Sequence, residues 1–270
     1  MSDLPHVTIL GAGVIGLATA ATLLGRGHAV TVIDRGEPGG ATSRGNASGI
    51  AWTDVAPLAS PGIWRKAPGW LLDPLGPLSL RPSYAISILP WMLRFMGASR
   101  PANWRKSVSA IAALNGAAVP AWERLWSETG SGARVRREGC LDVFDKQREI
   151  AGARAGWQLQ RDHGIEVHEL SGDAMRELEP DLGPGVAGGA FIPGWMHLED
   201  PHGMCLDLAA HVRARGGMIE AGEAVCVGRG GDGVVLRMRE GPVRKTEQLV
   251  IACGAWSRRF AAKLGEDVPL

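Results

Sequence analysis

The feature that most constrains the fold is a glycine-rich turn between an apolar strand and a helix near the N-terminus. Residues 7–10 (VTIL) are a continuous run typical of a central parallel strand covered on both faces. The turn 11–16 (GAGVIG) follows, and residues 14–26, rich in Ala and Leu, predict a helix. Residues 30–33 are a second β-branched strand that ends at Asp34. The sequence therefore begins with a strand–helix–strand unit of the size expected for one right-handed crossover.

Each part of this unit suits the ADP half of a dinucleotide. Gly11 permits a tight turn, Gly13 lets the backbone approach a pyrophosphate, and Gly16 lets the helix pack closely on the strand. The helix N-terminus offers unpaired N–H groups and a positive dipole end to the phosphates. Asp34, 18 positions after Gly16, would accept hydrogen bonds from the ribose hydroxyls and repel a 2′-phosphate. The pattern predicts dinucleotide binding, disfavours NADP, and leaves a purely structural glycine turn as the weaker alternative.

The loop after Asp34 bears on the choice between NAD and FAD. An NAD dehydrogenase typically continues with regular strand–helix alternation, whereas residues 39–50 (GGATSRGNASGI) are small and rich in hydroxyls. Such a loop could fold back over the pyrophosphate and ribityl chain. It would offer backbone N–H groups and the side chains of Thr42, Ser43 and Asn46. The loop therefore favours FAD.

Composition excludes several function classes. A formal charge of +1 on 270 residues gives no bulk electrostatic reason to expect a nucleic-acid partner. The four cysteines are far apart and form no C-x-x-C pair, so we expect reduced thiols and no metal site. The longest apolar segment, 85–96, is interrupted by Pro90 and Arg94 and is shorter than the roughly 20 residues that span a bilayer. These features indicate a cytoplasmic protein.

The rest of the chain predicts alternating helices and short strands. Helical patterns cover residues 84–97, 103–128 and 146–162. Asp200 and Pro201 predict an N-cap and first turn of a helix that runs to about residue 215. Strands are predicted at 139–144, 186–192, 217–220, 224–228 and 233–239, and a last apolar run lies at 248–254.

Seven segments spread over the chain match one known family. They are GAGVIGL at 11–17, GHAVTVIDR at 27–35, TSxxNA at 42–47, the looser 73–84 and 89–95, VIACGAWS at 250–257 and LGEDVPL at 264–270. On these residues the sequence resembles the FAD-dependent oxidoreductases of the D-amino-acid oxidase superfamily. The resemblance is strongest to the D-amino-acid dehydrogenase small-subunit family. Ser48 is a departure, since the family usually has glycine there.

The resemblance implies an α/β fold with a Rossmann-like FAD-binding domain and a second, α+β substrate domain. The expected division is 1–80 with 200–260 for the FAD-binding domain, and 81–199 with 261–270 for a partial substrate domain. Members of the family continue beyond the VPL segment, so the fold is expected to be incomplete at the C-terminus. Strands 139–144 and 186–192 would then lack sheet partners and leave edges for self-association.

The resemblance also assigns cofactor contacts residue by residue. The expected pyrophosphate and adenosine contacts are Gly11, Gly13, Val14, Ile15, Gly16, Asp34 and Arg35. The expected contacts along the loop toward the flavin ring are Thr42, Ser43, Asn46, Ala47, Gly49 and Ile50. Val225 would contact adenine, and Ala252, Gly254 and Trp256 would cap the nucleotide.

The implied activity is oxidation of the Cα–N bond of D-amino acids or related amines by hydride transfer to flavin N5. No protein base is required, and no catalytic residue is assigned; the seven histidines have no nucleophile at recognisable spacing, which favours structural roles. Two alternatives stay open: a non-catalytic dinucleotide-binding fragment and an NAD-linked dehydrogenase.

Three further positions invite functional interpretations. Trp52 follows the expected flavin-side turn, although core packing is the simpler expectation. Arg81 is a candidate ligand for a substrate carboxylate, with a surface ion pair as the alternative. Residues 91–95 could contact the inner face of a membrane where a quinone accepts electrons, and the simpler interpretation is a helix that faces the core.

Overall fold

The computed structural model describes residues 4–65, 69, 82–231 and 233–268. Its contacts divide the chain into two compact units. The first comprises Met1–Ile50, Ala121–Arg136 and His197–Leu270, and the second comprises Ala51–Pro120 and Arg137–Met196. Both units are discontinuous in sequence, as the two expected domains are, but their boundaries differ. The assignment of an FAD-binding domain and a substrate domain remains a prediction.

The elements are numbered in chain order. The helices are α1 (Val14–Gly25), α2 (Ala85–Ala98), α3 (Pro101–Thr129), α4 (Gln147–Asp162), α5 (Gly172–Leu178), α6 (Pro201–Ala214) and α7 (Ser257–Ala261). The first eight strands are β1 (Val7–Leu10), β2 (Val30–Asp34), β3 (Gly49–Ile50), β4 (Val135–Arg136), β5 (Cys140–Phe144), β6 (His168–Ser171), β7 (Gly188–Ile192) and β8 (Met196–Leu198). The others are β9 (Met218–Ala221), β10 (Ala224–Gly230), β11 (Gly233–Met238), β12 (Arg244–Thr246) and β13 (Gln248–Ile251).

The first unit is built on a parallel sheet of four strands in the order β13-β1-β2-β9. All four residues of β1 are buried, because the strand lies between two neighbours and carries α1 on one face. Helix α1 ends at Gly25, and Gly27 then takes a left-handed φ of +91° that turns the chain into β2. The strand–helix–strand unit predicted from the sequence is confirmed.

Helix α6 packs against α1 and begins as the sequence predicts. The carboxylate of Asp200 accepts a hydrogen bond from the Gly203 N–H at 2.8 Å, with Pro201 in the first turn. That backbone hydrogen bond lowers the pKa of Asp200 below its ordinary value. Arg134 also contacts α6, because its Nε donates a hydrogen bond to the carboxylate of Asp207 on that helix at 2.6 Å.

Two smaller sheets complete the first unit. Strands β10, β11 and β12 form an antiparallel sheet inserted in the chain between β9 and β13. Leu236 is fully buried in this sheet and belongs to a core cluster with Leu10, Ile33 and Phe260. The short strands β3, β8 and β4 form the other sheet. The core cluster of Leu236 packs at the carboxyl ends of β1 and β2, which carry Leu10 and Ile33.

The second unit contains an antiparallel sheet in the order β5-β7-β6, next to α4. Trp157 of α4 is buried and donates from Nε1 to Asp142 of β5 at 3.1 Å. The expectation that strands 139–144 and 186–192 lack partners is therefore wrong: β5 and β7 pair with each other, and β6 pairs with the other side of β7. The sequence pattern showed no strand at β6, whose side chains are mostly exposed.

Helix α2 does not face a core, although the simpler interpretation of residues 91–95 predicted that it would. None of its described side chains is buried, so the expectation that Trp91 and Phe95 face a core is wrong. The two rings instead stack on each other at the surface, 5.1 Å apart. Over the described residues, no helix is both long and apolar enough to cross a membrane.

Two leucines of α6 offer a matched test of the packing in the first unit. Leu208 has no exposed surface, whereas Leu206 is 43% exposed. We expect Leu208→Ala to lower the free energy of unfolding by about 2–5 kcal/mol, because it leaves a cavity in a packed interior. Leu206→Ala should change it by less than about 1 kcal/mol. Urea unfolding followed by circular dichroism measures both, and equal losses would contradict the placement of α6.

Candidate functional site

A cleft of about 880 Å³ opens in the first unit at the carboxyl ends of the parallel strands. The turns after β1, β2, β9 and β13 line it together with the loop that follows β2. Ligands of open parallel sheets bind at this edge, and the volume lies within the usual range for small-molecule and cofactor sites. The cleft is therefore the candidate functional site.

The floor of the cleft is a close approach of backbone segments that only glycine allows. Gly11 has φ +106°, and a Cβ at this residue would overlap the carbonyl oxygen of Ala252. A Cβ at Gly16 would in turn overlap the carbonyl oxygen of Gly11. The turn is held by bonds from Gly11 N to Ile33 O and from Ala252 N to Leu10 O, both 2.8 Å. The glycine pattern thus brings the N-terminus of α1 against two strand ends.

The loop after β2 folds back onto the same turn. Gly39 N donates to Ala12 O at 2.8 Å, and Val14 N donates to the Ser43 hydroxyl at 3.1 Å. The N-cap residue of α1, Gly13, has no side chain to accept a hydrogen bond from the first turn, and the Ser43 hydroxyl provides this acceptor instead. The loop thus folds back on the glycine turn and places Ser43 at the N-terminus of α1, where we predict that a phosphate binds.

Ser48 occupies an unusual backbone conformation at the end of this loop. Its φ of +62° lies in the left-handed region, and it is the one non-glycine residue with positive φ in the chain as described. The Asn46 side chain accepts from Ser48 N at 2.8 Å and holds the turn. Glycine adopts a positive φ without strain, which explains why the family that the sequence resembles usually has glycine at this position. In this chain the hydrogen bond to Asn46 stabilises the turn at Ser48.

Asp34 is fixed by two backbone donors. Its carboxylate accepts from Ala12 N at 2.7 Å and from Gly36 N at 2.9 Å, while the residue stays partly exposed to the cleft. The next side chain, Arg35, places its guanidinium 5.0 Å from the ring centroid of Trp256. An anchored carboxylate and a cation stacked on an indole ring therefore stand at one end of the cleft.

The cleft brings together most of the expected cofactor contacts. Those that line it are Gly11, Gly13, Val14, Ile15, Asp34, Arg35, Thr42, Ser43, Asn46, Ala252, Gly254 and Trp256. Those that do not are Gly16, Ala47, Gly49, Ile50 and Val225. Gly16 is buried beneath the turn, and Gly49 and Ile50 form β3. At β10 the cleft wall is Ala224, while Val225 is exposed.

The lining also contains residues that the sequence analysis did not assign to the site, among them Glu223, Arg259 and Phe260. Glu223 follows the carboxyl end of β9, so counting strand ends along the sheet would have found it. Its hydrogen bond with Arg239, 2.6 Å long, holds the pKa of the Glu223 carboxyl below its ordinary value. Arg259 and Phe260 come to the cleft through packing of α7, for which the sequence carries no motif.

Outside the cleft, the other candidate residues have structural contacts. Trp52 donates from Nε1 to Gly194 O at 2.5 Å and packs against the core of the second unit, as expected. His28 and His163 bond to backbone carbonyl oxygens. Arg81 lies outside the described residues. Within the described part of the chain, no group of three or more His, Cys, Asp or Glu could hold a metal ion.

Cys253 lies in the cleft wall as a protonated thiol. Burial, followed by the negative charge of Asp34, raises its pKa from 9.0 to about 11. Its Sγ also donates to Leu10 O at 3.4 Å, a bond that only the thiol form makes. The group is thus a packing element at neutral pH, because a thiolate is needed for nucleophilic chemistry.

The raised pKa predicts a loss of stability at alkaline pH. Above pH 9 the unfolded chain releases the Cys253 proton while the folded chain keeps it, so the free energy of unfolding falls until the pH reaches about 11. Cys253→Ala removes this contribution. Urea unfolding from pH 8 to pH 11 should show a shallower decline for the variant than for the parent protein. Parallel curves would contradict the buried-thiol assignment.

The glycine floor gives a second test. Gly11→Ala places a Cβ against Ala252 O, whereas a Cβ at Gly25 meets nothing within 4 Å. A strained backbone residue costs of order 1–3 kcal/mol, so we expect Gly11→Ala to weaken FAD binding by roughly ten- to hundred-fold. Gly25→Ala should bind FAD as the parent does. Calorimetric titration of the apoprotein measures this, with circular dichroism as the check on folding. Equal affinities would remove the turn from the site.

The groups in the cleft fit FAD. A glycine turn that admits no Cβ, a helix N-terminus with a serine hydroxyl bonded to its first N–H, and an anchored carboxylate are groups that suit pyrophosphate and ribose. FAD would be held by the turn after β1, by Ser43 and by Asp34.

Curated relatives carry amino-acid oxidase and dehydrogenase names. The chain is 35% identical over 268 residues to a D-amino-acid oxidase of Bradyrhizobium diazoefficiens, covering 98% of this chain and 63% of that protein. It is 32% identical to a D-amino acid dehydrogenase of the same organism, covering 98% and 64%. The chain thus spans a little under two thirds of the length of these relatives.

Solved structures of oxidases share the α/β fold of this chain. Glycine oxidase from Geobacillus kaustophilus superposes with a TM-score of 0.66 at 23% identity, covering 97% of this chain and 59% of that one. L-α-glycerophosphate oxidase from Mycoplasma pneumoniae with FAD bound gives 0.64 at 19%, covering 98% and 58%. These likenesses confirm the α/β fold predicted from the sequence. The family described as "FAD dependent oxidoreductase" matches residues 6–270, and the chain belongs to this family of FAD-dependent oxidoreductases.

Proposed function

We propose that this protein oxidises the Cα–N bond of D-amino acids or related amines with FAD bound in the cleft of the first unit. One observation carries the proposal: Gly11, Ser43 and Asp34 converge on the N-terminus of α1 within a family whose cofactor is FAD. The names of the D-amino-acid oxidase and dehydrogenase relatives support the substrate class. When bound, the flavin supplies the acceptor, at N5, for the hydride that leaves Cα.

In this proposal, side chains and backbone groups of the cleft bind the cofactor and orient it. Val14 N–H and the Ser43 hydroxyl stand where the pyrophosphate would lie, and the hydroxyl can accept from the helix while donating to a phosphate oxygen. Asp34, already held by two N–H donors, keeps acceptor capacity for the ribose hydroxyls. The wider set of cofactor contacts remains part of the proposal, including Gly16, Ala47, Gly49, Ile50 and Val225. An apolar surrounding for the substrate would lower the pKa of its amine and favour the neutral, reactive form.

We also propose a membrane quinone as the electron acceptor, reached by peripheral contact of a cytoplasmic protein with the inner membrane face. The exposed stack of Trp91 on Phe95 supports this contact, since aromatic side chains are favoured at membrane interfaces. We propose in addition that copies of the chain associate through the outer edges of β5 and β6, which are the ends of their sheet.

Anaerobic spectroscopy tests the proposed activity. The purified protein should be yellow, and D-alanine or another D-amino acid should bleach the flavin absorption in the absence of oxygen. The L-enantiomers serve as the matched control and should react much more slowly. Bound flavin that no amine bleaches would leave a nucleotide-binding protein without this activity. A colourless protein that binds NADH and not FAD would instead favour an NAD-linked dehydrogenase.

A further inference from the structure

The second unit carries an exposed apolar face on α2. Ile86, Leu89, Leu93 and Met96 recur at intervals of three and four residues, so they lie along one side of the helix. Their exposed fractions are 87%, 52%, 61% and 48%. A stripe with this spacing normally faces a protein core, and here it is open in the part of the chain that the structure describes. We refer to these four residues as the α2 stripe.

The chain around the α2 stripe carries cations and no carboxylates. From residue 82 to residue 122 the sequence contains no Asp or Glu, and its charged residues are Arg94, Arg100, Arg105 and Lys106. The whole chain has a formal charge of only +1, so this excess is local. An exposed apolar helix within a basic segment complements a surface that is apolar inside and anionic outside.

A cleft of about 700 Å³ opens beside the C-terminal end of the α2 stripe. Arg65 and Arg100 line it together with Trp64, Leu93 and Met96, and the described lining contains no carboxylate. The Arg65 guanidinium lies 5.2 Å from the ring centroid of Trp64. Guanidinium groups bind phosphate oxygens well, and the apolar wall suits the hydrocarbon attached to such a phosphate. The cleft therefore fits the head group of an anionic phospholipid.

We propose that the α2 stripe docks the protein on an anionic phospholipid bilayer, with a lipid phosphate held in the cleft of Arg65 and Arg100. Helix α2 has 14 residues, about 21 Å at 1.5 Å per residue, so it lies in the interface rather than crossing it. Its apolar side chains enter the acyl boundary while the arginines stay at the phosphates. This deepens the membrane contact of the proposed function by assigning its surface and lipid.

A second copy of the chain fits this face less well. A two-fold contact would bring the same patch of both copies together, and Arg94 and Arg100 of one copy would then face cations of the other. No carboxylate within residues 82–122 offsets that repulsion. The charge of the face therefore favours a lipid surface over self-pairing.

Vesicle flotation of the FAD-loaded protein tests the inference. Vesicles of equal parts phosphatidylcholine and phosphatidylglycerol should carry the parent protein, and pure phosphatidylcholine or high salt should release it. Leu89→Asp with Leu93→Asp should weaken partitioning by more than about ten-fold. Arg65→Gln with Arg100→Gln should weaken it by about thirty-fold. Leu178→Asp on α5 and Arg148→Gln on α4 are the matched controls and should bind vesicles as the parent does.

The outcomes separate this inference from the proposed function. Flavin content and amine-driven reduction of a soluble dye are measured on every variant and should not change, because none of these residues lines the cofactor cleft. Failure of the parent protein to bind anionic vesicles would overturn the docking surface together with the proposed membrane contact, and would leave the proposed amine oxidation standing. Equal binding by the parent and the stripe variants would overturn the docking surface alone. A parent dimer that Leu93→Asp converts to a monomer, without vesicle binding, would show self-pairing and overturn it too. Vesicle binding without amine-driven reduction would overturn only the activity.

Discussion

The structure of the first unit depends on the close approach of backbone segments at the carboxyl ends of β1 and β13. Gly11 meets the carbonyl of Ala252, and Gly16 meets the carbonyl of Gly11, at distances that exclude any side chain. Because both contacts involve Gly11, the N-terminus of α1 is fixed over the strand ends, with Gly13, Val14 and Ile15 in the lining of the cleft. The sheet order places β13 and β2 on either side of β1, so the turns after three neighbouring strands share one cavity.

The loop after β2 extends this arrangement by hydrogen bonds. The Asp34 carboxylate accepts hydrogen bonds from the N–H groups of Ala12 and Gly36. The Gly39 N–H donates to the Ala12 carbonyl, and the Val14 N–H donates to the Ser43 hydroxyl. The phosphate-binding end of α1 and the loop that faces it are thus one hydrogen-bonded structure. Preorganisation of this kind lowers the entropy lost when a ligand binds, because the groups that contact the ligand are already ordered.

The sequence predicts the parts of the molecule in which local pattern and tertiary role agree. The glycine turn and the Asp200 N-cap each use a residue type that suits one particular backbone conformation, and the structure has both at the predicted positions. Asp34 ends β2 and lines the cleft, and its contact with ribose stays a prediction. Where packing decides, prediction was poorer. Strand β6 has no apolar alternation to mark it, and Phe260 reaches the cleft only because α7 packs on the sheet. Helix α2 has the apolar periodicity of a helix that faces a core, yet its apolar side chains are exposed. Periodicity alone does not distinguish these two environments.

The order of strands in the parallel sheet has a consequence for how the chain folds. Strand β1 pairs on one side with β2, which follows it closely, and on the other with β13, where Val7 lies opposite Gln248. At a synthesis rate of about 5–20 residues per second, β1 leaves the ribosome roughly 10 to 50 seconds before its second neighbour. During that interval one edge of a strand that is fully buried in the folded protein lacks its partner, and its pairing must await a segment more than 200 residues later in the chain. Loop closure over such a separation makes this a slow step, so the cofactor cleft is among the last features of the molecule to form.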